Sequence, residues 1–271
     1  MFSVTFVHNA RAMFTYIDPT VRERLEAAGK LFKIPRAAGG TISALGPIPM
    51  PLHIAGERIE VAWFATVRNT ELTRLEDLAA ELRSQHGERS FAELASSMAV
   101  NSVLLIGDRD NWTSPLIRVH SSCLTGDVFG SERCECGPQL HSAIELINKD
   151  DQGGLLIYMA GHEGRGIGLW AKAATYLLQD GGEDTYQANR SLGLPDDSRD
   201  FSDAADLIRY FRGDEPFRLL TNNPKKIADL GAAGLEGITP VKHVIGVTDA
   251  NRRYLSAKRG WGHKIDPDDI G

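Results

Sequence analysis

Residues 102–271 alternate short apolar runs with segments of helical period, and this alternation sets the fold class. The apolar runs are rich in Val, Ile and Leu and have the length of β-strands. They lie at 102–107, 116–120, 155–158, 217–221 and 244–247. Helical patterns fall between most of them, at 140–147, 167–178, 204–211 and 225–232. Such interleaving is typical of an α/β fold, so we predict a layered mixed sheet with flanking helices.

The first 100 residues carry weaker and more varied patterns. Asp18 and Pro19 suit the N-cap and the first position of a helix, whose apolar stripe continues to Phe32. The stretch 46–51 holds three prolines in alternation, which excludes a helix or a central strand and predicts a connector. A β-branched and aromatic run predicts a strand at 59–67.

Two amphipathic helices are predicted next, one with an apolar stripe over 72–82 and one from a capping box at Ser90 through Met98. Such stripes usually indicate contact with a core, so we favour a packed insertion over a lid or an interaction surface. We place a domain boundary near residue 100. Residues 1–100 then form an N-terminal α+β extension of unassigned role, and residues 101–271 form the main domain.

Composition narrows the range of partners. The 271-residue chain has 42% apolar and 24% charged residues, ordinary values for a globular protein with a sizeable core. Thirty basic and 36 acidic residues give a net charge of −6, which disfavours a nucleic acid as partner. No apolar run reaches the ~18–20 residues that cross a bilayer. No leader pattern opens the chain, so we expect a cytoplasmic protein without a membrane partner.

The chain has three cysteines, Cys123, Cys134 and Cys136, which are clustered and odd in number. Such a set argues against a disulfide framework and predicts a metal or reactive-thiol site. Three thiolate ligands and an open fourth position are typical of a catalytic zinc, which makes a hydroxide available near neutral pH. We favour this open site over a structural site closed by His120 or His141, and over three thiols without a metal.

Distinctive motifs surround the cysteines and continue beyond them. The first two are Arg118–Asp127 and Cys134–Gly137. Others follow in order at 163–169, 176–180, 184–185, 197–199 and 220–226. In their order and spacing, these motifs resemble the GTP cyclohydrolase II family, whose enzymes open the guanine imidazole ring at the entry to riboflavin synthesis. The resemblance covers about residues 102–263, makes 101–271 the catalytic domain and implies a homodimer.

The resemblance also implies the cofactors and the site. One zinc ion per chain would bind to the three cysteines, a magnesium ion would accompany the nucleotide, and GTP would lose formate and pyrophosphate. Asp197 would be the proton acceptor, Arg199 the nucleophile and Tyr176 a residue that completes ring opening. The implied substrate contacts are Arg118, Val119, His120, Ser121, Ser122, Gln139, Glu163, Gly164, Arg165, Thr185, Thr221 and Lys226.

Elementary chemistry supports several of these roles. Residues 221–226 follow a buried strand and open a helix, with Asn223 as its N-cap and Pro224 as its first residue, so free N–H groups and two lysines converge on an anion site. Arg165 offers a bidentate fork for phosphate, although its Gly-rich turn matches no P-loop or dinucleotide motif. Because Arg199 stays protonated, an electrostatic clamp on the α-phosphate is as good an account as a nucleophile. Residues 225–264 hold eight basic and three acidic residues, which suits a triphosphate.

Two positions depart from the family pattern. Ser122 stands where a glutamate is usual, and Met159–His162 replaces an arginine-glutamine pair and is one residue longer. These changes bear on the substrate and the end product and leave the zinc chemistry intact. The alternatives are therefore a paralogue that stops at the formamidopyrimidine nucleotide, and a non-catalytic nucleotide sensor stapled by zinc. A zinc nucleobase deaminase is disfavoured because the sequence has no P-C-x-x-C motif.

Overall fold

The computed structural model describes residues 17–82, 95 and 98–271, and the strands among them form one mixed sheet. These strands are β1 (Leu31–Pro35), β2 (Thr41–Ile54), β3 (Glu57–Arg68), β4 (Asn101–Ile106), β5 (Leu116–Ser121), β6 (Gly154–Met159), β7 (Phe217–Leu220) and β8 (Ile238–Val241). Their order in the sheet is β1-β2-β3-β4-β6-β5-β7-β8. The first four neighbouring pairs are antiparallel and the last three are parallel. The predicted layered mixed sheet is confirmed.

Helices flank this sheet in the described part of the chain. They are α1 (Pro19–Ala27), α2 (Asn69–Leu82), α3 (Cys136–Lys149), α4 (Leu169–Asp180), α5 (Thr185–Ser191), α6 (Ser202–Arg212), α7 (Pro224–Ala232), α8 (Arg252–Gly260) and α9 (Pro267–Ile270). α1 begins as predicted, because the Asp18 carboxylate accepts the Thr20 backbone N–H at 2.9 Å. Leu75 of α2 is buried, so this predicted stripe does contact the core. Among the described helices, none has the length and apolarity that a bilayer crossing requires.

The sheet is covered on both faces, because alternate strand residues pack into two different clusters. Val103 and Ile117 lie in the cluster that contains residues of α6 and α7. Their chain neighbours Leu104 and Leu116 lie in the cluster that contains residues of α3. Successive side chains of a strand point to opposite faces, so this alternation is what a two-sided sheet requires. Phe64 belongs to the first cluster, and β3 therefore shares the core of the later strands.

Two predictions for the N-terminal region were wrong. The apolar stripe does not extend α1 to Phe32, which lies in β1, because Gly29 adopts a left-handed backbone with φ of +63° and ends the helix. The stretch 46–51 is not a connector but part of β2. Residues 48–51 pair there with β3 alone, since β1 reaches only residues 41–45, and Gly46 and Pro47 lie in an irregularity of the β2–β3 register. An open edge tolerates prolines because no neighbouring strand needs the N–H groups that they lack.

A third prediction misplaced the last strand. Residues 244–247 are irregular, and Val244 and Val247 pack beside the buried cluster that includes α8. The strand lies earlier, as β8, where its edge position tolerates Pro240. The helix predicted from Ser90 to Met98 falls almost entirely outside the described residues. The domain boundary near residue 100 stays a prediction.

Candidate active site

A cleft opens at the carboxyl ends of the parallel strands β5, β6 and β7. The chain leaving β5 supplies Cys123, the turn after β6 supplies residues 162–165, and the segment after β7 supplies residues 221–223. Ligands of α/β sheets bind at this edge because loops from neighbouring strands meet there. The cleft is lined by every predicted site residue except Val119, whose side chain lies in the core, and Asp197.

The three cysteines converge in this cleft. Their sulfur atoms all lie within 4.8 Å of one another, and those of Cys123 and Cys134 are 3.6 Å apart. Tetrahedral zinc with Zn–S bonds of ~2.3 Å places its sulfurs about 3.8 Å apart, so the donor set fits a zinc ion. Two glycines make this approach possible. A Cβ on Gly126 would lie 2.9 Å from Cys134 Sγ, and a Cβ on Gly137 would lie 2.3 Å from the Gly126 carbonyl oxygen.

The charges around the thiols also favour a bound cation. Hydrogen bonds from Cys134 and Cys136 lower the pKa of the Cys123 thiol, and the ammonium group of Lys172 adds to this effect. The bond with Cys123 in turn raises the pKa of Cys136. The thiols therefore oppose one another's ionisation. A divalent cation relieves this opposition, because it binds all of them as thiolates.

The two histidines considered as a fourth ligand lie outside the thiol group, which among the described residues comprises the cysteines alone. His141 is exposed on α3. The Nε2 atom of the buried His120 is 3.1 Å from the Asp127 carboxylate, and burial lowers the pKa of this histidine. Asp127 also accepts the Cys123 backbone N–H at 2.9 Å. His120 and Asp127 therefore stabilise the loop of residues 123–128, which carries Cys123 and is named the metal loop.

The same cleft gathers cations. Lys226 is buried in α7 and donates to the Val119 carbonyl oxygen at 2.6 Å. Burial, together with the positive charges of Arg118, Arg199 and Lys258, holds the pKa of Lys226 well below its usual value. Cations this close repel one another unless an anion joins them. The group is therefore suited to a polyanion such as a nucleotide phosphate chain.

Hydrogen bonds hold the segments that carry these cations. An Nη atom of Arg118 donates to Gln139 Oε1 at 2.8 Å. The Asn223 side chain accepts the Lys225 backbone N–H at 3.0 Å and so caps α7 as predicted. The Thr221 hydroxyl accepts the Asn223 backbone N–H at 3.1 Å. The N–H groups of Asn223 and Lys225 are therefore engaged within the protein and Pro224 has none, so Lys226, rather than the predicted set of free N–H groups, supplies the positive charge that this helix start offers to the cleft.

Asp197 and Arg199 form a bidentate ion pair, with contacts of 2.9 and 2.6 Å. Burial opposes the charge of Arg199, but the hydrogen bonds and charge of Asp197 outweigh burial and raise its pKa. Burial likewise opposes ionisation of Asp197, and Arg199 outweighs it and lowers the pKa of this carboxyl. A guanidinium with a raised pKa has no free lone pair to offer. The geometry therefore favours the electrostatic clamp over the nucleophile.

Tyr176 lies close to the metal loop. Its hydroxyl is 3.1 Å from the Thr125 hydroxyl, which is 3.7 Å from Cys123 Sγ. Burial raises the pKa of Tyr176, so the phenol keeps its proton. The Arg133 guanidinium lies 4.4 Å from the centre of the Tyr176 ring. A protonated phenol at this place can serve as a proton donor.

Arg165 has the features of a ligand contact. Its backbone is left-handed, with φ of +65°, although it is not a glycine. Its guanidinium lies 4.0 Å from the centre of the Tyr186 ring, and its Nη2 atom is buried without a hydrogen-bond partner among the described residues. Such strain and such unpaired donors concentrate at binding sites. Gly164 and Thr185, the first residue of α5, line the same cleft.

The two departures from the family pattern are in contact with each other. The Ser122 hydroxyl donates to the Ala160 carbonyl oxygen at 2.8 Å. The neighbouring Ser121 hydroxyl is 3.1 Å from Nδ1 of His162, whose Nε2 is 3.0 Å from the Asp200 carbonyl oxygen. The serines and the altered segment after β6 thus form one connected wall of the cleft.

A sequence model of the GTP cyclohydrolase II family matches residues 76–242, more than half of the chain. The chain belongs to this family. The riboflavin biosynthesis protein RibBA of Mycobacteroides abscessus is 46% identical over 198 residues, 70% of this chain and 47% of that protein. The monofunctional riboflavin biosynthesis protein RIBA 3, chloroplastic, of Arabidopsis thaliana is 49% identical over 159 residues, 59% of this chain and 31% of that protein. The chain thus spans about half, or less, of the length of these relatives.

Membership of the GTP cyclohydrolase II family confirms the resemblance found in the motifs. Several residues that line the cleft were not predicted from the sequence, and they include Arg133, His162, Lys172, Tyr254, Lys258 and His263. Lys172 carried a usable signal, since it lies four residues before Tyr176 and thus on the same helix face. Lys258 carried only a general signal, as a member of the basic segment 225–264, because its ion pair with Glu135 joins residues far apart in the chain.

Buried histidines make stability depend on pH. Burial lowers the pKa of His162 to about 4 and that of His243 and His263 to about 3, against roughly 6.5 in an unfolded chain. Between these values the unfolded state binds protons that the folded state does not, so stability is lost as the pH falls below about 6.5. We expect the Tm to drop from pH 7 to pH 4.5.

The histidine origin of this drop can be isolated with two variants. His243→Gln should flatten the dependence of Tm on pH, whereas His141→Gln, at an exposed position, should leave it as in the unmodified chain. Thermal unfolding followed by circular dichroism gives the comparison. Parallel curves for His243→Gln and the unmodified chain would contradict this account.

Proposed function

We propose that this chain hydrolyses GTP by opening its guanine imidazole ring, with release of formate and pyrophosphate. The product would be 2,5-diamino-6-ribosylamino-4-pyrimidinone 5′-phosphate, at the entry to riboflavin synthesis. One observation carries the proposal: a single cleft joins the three-thiol group to a set of crowded cations. The guanine base of GTP would lie beside the three-thiol group, and its triphosphate would lie among the cations.

The thiol side of the cleft would serve the base. Zinc bound to Cys123, Cys134 and Cys136 would supply a Lewis acid and a source of hydroxide near neutral pH. Tyr176 would donate a proton to the leaving nitrogen of the ring, since its burial keeps the phenol protonated. The His120 and Asp127 contacts would keep the loop with Cys123 in place during this change.

The cationic side would serve the phosphates. Arg199 would clamp the α-phosphate, with Asp197 fixing the plane of its guanidinium and able to accept a proton. Arg165 and Lys226 would offset the charge of the departing pyrophosphate, together with a magnesium ion that arrives with the nucleotide. The positive end of the α7 dipole would add a further favourable interaction with the anion.

Mass spectrometry of GTP incubated with the zinc-loaded chain and magnesium tests this proposal. We expect formate, pyrophosphate and the pyrimidine product in equal amounts. Retention of the formyl carbon would instead identify the paralogue reaction, for which the connected Ser122 and His162 departures are the structural argument. Binding of GTP without turnover would identify a nucleotide sensor.

We further propose that the chain forms a homodimer through the outer face of α4. Leu169, Trp170 and Leu177 of this helix are exposed, Trp170 by 91% and Leu177 by 74%. Phe129, 70% exposed, follows the metal loop that contacts α4. An isologous dimer buries the same apolar patch of both copies.

We expect Trp170→Lys to give a monomer in sedimentation and Leu146→Lys, at an exposed residue of α3, to leave the dimer intact. A dimer in both variants would contradict this interface.

A further inference from the structure

Lys172 is a buried cation of the cleft to which the reaction described above assigns no role. It lies on α4 and is 8% exposed. Its Nζ atom donates to Cys123 Sγ at 3.1 Å and to Glu163 Oε1 at 2.7 Å. The ammonium group is therefore fixed between a cysteine sulfur and a carboxylate.

Glu163 ties this ammonium group to the metal loop. Its second oxygen, Oε2, accepts the backbone N–H of Leu124 at 2.7 Å. Its first oxygen also accepts the backbone N–H of Gly164 at 3.1 Å. Both carboxylate oxygens are thus engaged by the protein. Lys172, Glu163, Leu124 and Cys123 form a closed ring of contacts, because Leu124 follows Cys123 in the chain.

This ring of contacts places the positive charge of Lys172 beside the proposed zinc ligands. Three thiolates around a divalent cation leave an excess of one negative charge, in a site where Cys123 and Cys134 are buried. Buried charge is costly unless it is paired. Among the described residues, the one cation with a hydrogen bond to a cysteine sulfur is Lys172. Hydrogen bonds to a ligand atom orient that ligand and tune its bond to the metal.

We propose that Lys172 is a positioning residue of the metal centre, which holds the Cys123 thiolate in the ligand set and offsets its charge, with Glu163 as its anchor. The inference rests on the proposed zinc site. It also links that site to the phenol, since Tyr176 lies one turn further along α4 and its ring centre is 5.7 Å from Lys172 Nζ. One helix face would thus set the distance between the metal ligands and the proton donor.

Zinc affinity, measured by competition with a chelator, tests this proposal apart from turnover. We expect Lys172→Met to bind zinc roughly 10- to 100-fold more weakly, the usual effect of removing a ligand's hydrogen-bond partner. Lys172→Arg, which keeps a charged donor, should recover most of the affinity. Lys149→Met removes an exposed lysine of α3 and should bind zinc like the unmodified chain.

The cobalt-substituted protein provides a second readout. Loss of the hydrogen bond raises the energy of the sulfur lone pair, so the sulfur-to-cobalt charge-transfer band of Lys172→Met should move to lower energy. Unchanged affinity and an unchanged band in this variant would overturn the proposal, and so would equal losses in the Met and Arg variants.

Two further outcomes remain decisive. If Lys172→Met does not fold, Glu163→Gln removes the anchor with little change of shape, and zinc binding as tight as in the unmodified chain would overturn the proposal. If the unmodified chain itself binds no zinc, both the proposed zinc site and the proposed role of Lys172 are overturned. Intact zinc binding with an unaffected Lys172→Met variant would overturn the inference alone.

Discussion

Serine in place of Cys134 is expected to abolish zinc binding and GTP turnover together. The Cys134 sulfur is 3.6 Å from Cys123 Sγ and belongs to a group of three within 4.8 Å. Its removal leaves two thiol ligands for a zinc ion, whereas the proposed site requires three. The loss of affinity should exceed the roughly 10- to 100-fold cost of deleting a ligand's hydrogen-bond partner, because the ligand itself is gone. Metal analysis and formate release provide the two measurements.

A second variant reaches the same result without changing a sulfur. In Gly126→Ala the new Cβ would lie 2.9 Å from Cys134 Sγ and 3.2 Å from Cys123 Sγ, so the thiols must separate. Gly231→Ala is the matched control, because a Cβ there meets no atom within 4 Å and a helix favours alanine. Full zinc content in Cys134→Ser or in Gly126→Ala would show that the thiols do not form the ligand set.

The parts of this fold that could be predicted are those with a strong local period. Strands β4 to β7 are buried on both faces, so their residues are apolar at consecutive positions. A short continuous apolar run is therefore enough to predict each of these strands. The stretch 46–51 could not be predicted in the same way. Its prolines argue against a strand, and only the absence of a partner on one side of β2 makes them acceptable. That fact lies in the sheet order, which the local sequence does not contain.

Some residues of the candidate site could likewise be predicted from the sequence, and others could not. The cysteines and the Asn223 cap could be predicted because their residue types and spacing carry the chemistry. The buried side of helix α4 could not be predicted from its apolar residues, since that side holds Lys172 and Thr175 while Trp170 faces solvent. An apolar stripe normally marks the side that faces the core. Here the polar side serves the cleft, and the apolar side is left for the proposed dimer.

Substitution of Arg199 is expected to give the second large loss of activity. Arg199→Met removes the guanidinium that Asp197 holds by contacts of 2.9 and 2.6 Å. The expected decrease in kcat is about 10²- to 10³-fold, as for other preorganised donors that stabilise developing charge. The exposed pair Arg190 and Asp196 has the same fork, at 2.8 and 2.7 Å, and lies outside the cleft. Arg190→Met should therefore retain normal kinetics.

Other substitutions of Arg199 distinguish the two roles considered for it, a clamp and a nucleophile. A clamp acts through its charge, so Arg199→Lys should retain part of the activity and added guanidinium ion should partly restore Arg199→Ala. A nucleophile would instead form a covalent bond to the α-phosphorus, which rapid quenching and intact-protein mass spectrometry would detect as a nucleotidyl adduct. The raised pKa of Arg199 beside Asp197 argues for the clamp, because attack requires a lone pair that this ion pair withholds. An adduct on Arg199 in the unmodified enzyme would reverse the assignment.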